Sequence, residues 1–155
     1  MTNSSHSFLL LKVSLIAFII GSISLPSWME LASPFWLLTF FIYWIVYTNS
    51  KNIFTLAFVL GIFFDTLQGG ILGQNSLALV LSSAFILNIK KSFFVSNMTT
   101  QQVYVFIGSL IYLVVFLIVH FVVQSFSINW IILISPFSAG ILWPIIRFLL
   151  AKIKQ

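Results

Sequence analysis

Asp65 is one of two acidic residues in a chain of 155 and ends a long apolar run, followed at once by Gly69, Gly70, Gly73 and the polar cluster Gln74-Asn75-Ser76. An ionisable group near the centre of a membrane helix costs about 2.5–3.5 kcal/mol on insertion scales, and it faces protein or water rather than lipid. Two kinds of chemistry suit a carboxylate placed this way. It can relay a proton or contact a substrate. Or it can accept hydrogen bonds from the free N–H groups that open the next helix, where the dipole end is positive. The second is the expected role, because Asp65 otherwise stands at the negative end of its own helix. The glycines let the backbone turn tightly and approach closely. His120, on a later apolar stretch and about as far across, is the candidate polar partner of Asp65. The plainer reading of a lone histidine in an apolar helix is a packing residue.

Other chemistry is excluded or unsupported. The absence of cysteine removes disulfides, thiol catalysis and cysteine-ligated metals. Two histidines and two carboxylates are too few for a convincing metal site. No nucleophile motif, acid–base pair or phosphate loop is evident, so neither an enzyme nor a cofactor is expected. The seven basic residues are dispersed rather than clustered, which argues for a topology signal and against nucleic acid.

The elements that must position Asp65 follow from composition. The chain is 61% hydrophobic and 6% charged, and six apolar segments can be placed at 9–25, 34–48, 53–67, 74–89, 102–124 and 130–150. A membrane helix needs about 20 apolar residues, whereas a transmembrane β-barrel would show short alternating strands. The expectation is a single all-α transmembrane domain over 1–155, a six-helix bundle in the lipid bilayer. Lys51, Lys90, Lys91, Arg147, Lys152 and Lys154 fall on one side of that bundle, and Lys12 can snorkel towards it. By the positive-inside rule both termini are cytoplasmic. Residues 1–7 lack Lys and Arg, and no clean cleavage site follows 9–25, so that segment is expected to be a retained anchor.

Trp28, Trp36 and Trp130 are expected at the outer membrane interface, and Tyr43, Trp44, Tyr47 and Tyr104 at the inner one. Ser33-Pro34 predicts a helix start, Asn75 or Ser76 a cap for the fourth segment, and Pro144 a kink in the sixth. Small or polar residues form slanted stripes: Ser14, Ala17, Gly21 and Ser24; Ala57, Gly61 and Asp65; Gln74, Ala78 and Ser82; Gly108 and Tyr112, then His120 and Gln124. Such stripes allow close helix packing, either inside the bundle or against a partner's span. The first segment, terminal in the chain, is the candidate partner interface.

Asp65-x-x-x-Gly69-x-x-x-Gly73, preceded by Tyr43-Trp44, resembles the signature of the MreD family of bacterial rod shape-determining membrane proteins. The ending Gly140-Ile-Leu-Trp143-Pro144 with its basic C-terminus is similar to the same family, and the resemblance covers nearly the whole chain. The loop Thr48–Asn52 departs from it in lacking a proline and richer basic character. The resemblance implies a multi-pass protein of the bacterial inner membrane, in the complex that elongates the lateral wall. It implies association with a bitopic MreC-like protein and, through it, with an MreB-like cytoskeleton, RodA and a class B penicillin-binding protein. It also implies a fold similar to the S components of energy-coupling-factor transporters. That kinship supplies the competing function, a subunit binding a small, vitamin-like solute.

Overall fold

The computed structural model describes residue 19 and residues 33–49, 52–123 and 130–154. These form five α-helices: α1 (Trp36–Tyr47), α2 (Ile53–Gln68), α3 (Gln74–Val95), α4 (Met98–Val123) and α5 (Ser135–Lys154), the last preceded by a 3₁₀ turn at Trp130–Ile134. There is no strand among the described residues. The first predicted span, 9–25, lies outside them apart from Ile19, and so does the Ser14/Ala17/Gly21/Ser24 stripe.

Three stretches, Gln74–Val95, Met98–Val123 and Trp130–Lys152, are long and apolar enough to cross a membrane. α1 and α2 are apolar but shorter: 12 and 16 residues reach about 18 and 24 Å at 1.5 Å per residue, below the roughly 30 Å of hydrocarbon. Phe58, Phe63, Leu81, Val114, Ile118, Ile141 and Phe148 all project from the outside of the bundle. Contiguous apolar exposure on this scale suits a lipid surround rather than water.

α1 is the core helix. Every residue from Leu37 to Val46 is buried, as expected of a helix that is apolar all round. It packs on α3, α4 and α5. The interfacial role expected of Tyr43 and Trp44 is therefore corrected. Each is 2% exposed within the core cluster, because neighbouring helices meet their rings where lipid was expected. Trp130, by contrast, is 72% exposed.

α3 is the hub, packed on α1, α2 and α4, while α5 leans on α4 and α1. α2 buries a single stripe, Ile53, Ala57, Gly61 and Asp65, four residues apart. The stripes Gln74/Ala78/Ser82 and Gly108/Tyr112 are likewise buried. Small residues on the described helices thus serve close packing within the bundle.

Helix starts differ from expectation. α1 begins beyond Ser33-Pro34, with Phe35 as its first flanking residue and no side-chain cap. The Ser33 carbonyl instead accepts Ser135 Oγ at 2.6 Å. Neither Asn75 nor Ser76 caps α3; the flanking residue is Gly73, which has no side chain to cap with. α5 runs as helix through Pro144.

The bundle has two distinct ends. At one, Lys90 Nζ donates to the Thr48 carbonyl and Arg147 stands over Tyr47. At the other, Phe35 packs on Tyr112 beside the turn between α2 and α3.

Candidate functional site

The α2–α3 turn is built around Asp65, which is 1% exposed. Its main-chain carbonyl accepts the N–H groups of Gly69 and Gly70, closing α2. Its carboxylate opens α3. Oδ2 accepts Gly73 N–H at 2.8 Å; Oδ1 accepts Asn75 N–H at 3.1 Å and Asn75 Nδ2 at 2.7 Å. A capping side chain normally belongs to the residue flanking the helix and bonds the N–H groups of the first turn. Here Gly73 flanks α3, and the preceding helix delivers the carboxylate in its place. With no cation beside it among the described residues, the charge is met by N–H donors and the positive end of α3.

The glycines have separable reasons. Gly69 and Gly73 have φ of 63° and 92°, the left-handed region in which a Cβ is strained. Gly61 is needed for approach: a Cβ there would meet Ser76 Cα at 2.3 Å. With the helices this close, Ser76 Oγ reaches the Phe58 carbonyl at 3.0 Å.

α4 closes the cluster through Tyr112, whose hydroxyl donates to Asn75 Oδ1. Gln74 Nε2 reaches across to the Phe116 carbonyl at 3.0 Å. The expected partner, His120, is corrected on this geometry. Tyr112 lies eight residues earlier, about 12 Å along the helix, and it is the α4 side chain that joins the Asp65 network. His120 is half-buried and donates nothing to Asp65.

A second cluster, not foreseen from the sequence, centres on Gln101. Its Nε2 donates to the Phe93 and Ser96 carbonyls at 3.1 Å each, and its Oε1 accepts Trp143 Nε1 at 3.2 Å and Arg147 NH1 at 2.9 Å. One side chain thereby joins the end of α3, the start of α4 and the middle of α5. The Gly140–Pro144 motif surrounds it. Gly140 lets α5 approach Gln102, whose carbonyl would lie 3.3 Å from an added Cβ. Pro144 provides no N–H for the Gly140 carbonyl four residues earlier. Only the polar tract Thr99-Thr100-Gln101-Gln102 hinted at this site.

Both clusters contain residues of the family-like motifs, and comparison with known proteins agrees. The family model for the rod shape-determining protein MreD matches residues 2–153. The chain belongs to the MreD family. It is similar to the rod shape-determining protein MreD of Haemophilus influenzae, with 27% identity over 150 residues, covering 96% of this chain and 91% of that protein. No solved structure matches. Membership in the MreD family, together with helices able to cross a membrane, marks a membrane protein and supports a role in rod-shape determination.

Among the described residues, no group of three or more His, Cys, Asp or Glu could hold a metal. Each polar side chain of the Asp65 cluster is engaged by another protein group. What this arrangement does chemically is fix the angle and separation of α2 and α3 at one end of the bundle.

Proposed function

We propose that this MreD-family chain is a non-catalytic scaffold or regulator of lateral-wall elongation, maintaining rod shape by binding the membrane span of an MreC-type bitopic protein. Through that partner it acts on an MreB-like cytoskeleton, RodA and a class B penicillin-binding protein. The family match over residues 2–153 carries the reading. The Asp65 geometry supports it, since a carboxylate holding three N–H donors is committed to shaping a turn rather than to moving protons.

The membrane arrangement that accompanies it is six spans in the bacterial inner membrane, both termini cytoplasmic, in one domain with the S-component type of fold. The short α1 is compatible with this. It is enclosed by protein, so its length need not match the bilayer, and Lys90 and Ser135 occupy carbonyls beyond its two ends. The partner is assigned to the first predicted span, through Ser14, Ala17, Gly21 and Ser24.

Depletion in the native host with microscopy tests the function. Rounding and swelling are expected; normal shape with vitamin auxotrophy would establish the solute-binding alternative instead. For the interface, Gly21→Leu is expected to lose co-purification of the partner at normal membrane abundance. Unchanged co-purification would reject that assignment.

A further inference from the structure

The end of the bundle opposite the glycine turn carries cations that the scaffold reading does not use. Arg147 on α5 is half-buried, its NH1 shared between Gln101 Oε1 at 2.9 Å and Met98 Sδ at 3.8 Å. Its guanidinium carbon lies 5.8 Å from the centroid of the Tyr47 ring. Lys90 on α3 is also half-buried and donates to the carbonyl of the next residue, Thr48, at 2.6 Å. Two cations from different helices are thus held at the last turn of α1. Among the described residues the hydrogen bonds of Arg147 run through one nitrogen and Lys90 meets one acceptor, whereas a guanidinium has five N–H donors and an ammonium three. Asp65, the one acid among the described residues, is at the far end of the bundle.

The surroundings are apolar and open. Phe94 packs on Tyr47 at 5.9 Å yet is 61% exposed, and Phe148, next to Arg147, is 75% exposed. Fixed cations beside exposed aromatic side chains at one end of the bundle match the headgroup depth of a bilayer, where a lipid phosphodiester lies. The planar guanidinium suits phosphate oxygens, and basic sites between membrane helices favour anionic headgroups.

We propose that Arg147 and Lys90 bind the phosphate of an anionic phospholipid, with Phe94 and Phe148 flanking its headgroup.

The test uses the full chain in detergent, titrated with phosphatidylglycerol, with phosphatidylcholine of the same acyl chains, or with inorganic phosphate. Apparent affinity is read from the rise in unfolding temperature with ligand concentration. Phosphatidylglycerol is expected to bind more tightly than the other two. Lys90→Gln and Arg147→Gln are each expected to weaken it about fivefold, and Lys152→Gln to leave it unchanged. If Arg147→Gln does not fold, Lys90→Gln carries the same reading. Equal binding of the two lipids overturns the proposal, as does phosphate binding as tightly as phosphatidylglycerol. Equal weakening by Lys152→Gln would mean diffuse attraction and no site, and unchanged binding in the Lys90 and Arg147 variants would do the same.

Discussion

Gly61 and Ser76 bring the backbones of α2 and α3 into contact: a Cβ on Gly61 would stand 2.3 Å from Ser76 Cα and 2.6 Å from Ser76 N. The obstructing atoms are main chain and cannot swing aside. Gly61→Ala must therefore spread the two helices, straining the Asp65 bonds one helical turn further on. Overpacking of this kind costs about 1–3 kcal/mol. A lower unfolding temperature and reduced membrane abundance are expected. Gly70→Ala is the control, since nothing lies within 4 Å of its Cβ position and its φ is not positive; it should behave as the parent.

Substitutions at Asp65 should separate the cap from the charge. Asp65→Leu leaves the Gly73 and Asn75 N–H groups and the Asn75 amide without acceptors, each buried donor costing about 1–3 kcal/mol. Asp65→Asn keeps one acceptor oxygen and should retain part of that stability. Thermal unfolding in detergent is expected to rank parent above Asn above Leu. Both variants melting with the parent would show that the cap contributes nothing, and an Asn variant as unstable as Leu, both below the parent, would show that the charge is required.

Gln101→Leu should loosen the opposite end. It removes the acceptor of Trp143 and Arg147 and the donor to the Phe93 and Ser96 carbonyls. A loss of about 2 kcal/mol is expected from a buried polar network cut at its centre. Limited proteolysis should then open the α3–α4 junction near Ser96 first. Unchanged protection there would contradict the hub role.

Orientation is checked by reporter fusions. Lys90 and Arg147 both stand at the end of α1 near Tyr47 and Thr48, away from the Asp65 turn. With the basic end cytoplasmic, a reporter after Gln155 should register cytoplasm, and one inserted between Gly69 and Gly73 should register periplasm. The reverse at either site would refute the assigned topology.

Much of the chain could be read without a fold. The apolar runs locate the helices, with α2 observed at Ile53–Gln68 against an expected 53–67 and α3 starting at Gln74 as expected. The bond from Asp65 to the start of α3 was legible because it is local. Eight to ten residues separate donor and acceptor, and glycines between them permit a tight turn. Tertiary structure alone decided the rest. Tyr112 rather than His120 joins the Asp65 network, through Asn75 across 37 residues, and Gln101 reaches Trp143 and Arg147 across 42 and 46. Tyr43 and Trp44 lie in the core rather than at an interface. Hydropathy records how far a residue stands from water. It is silent on whether lipid or another helix replaces that water, because both are equally apolar, and only packing geometry distinguishes them.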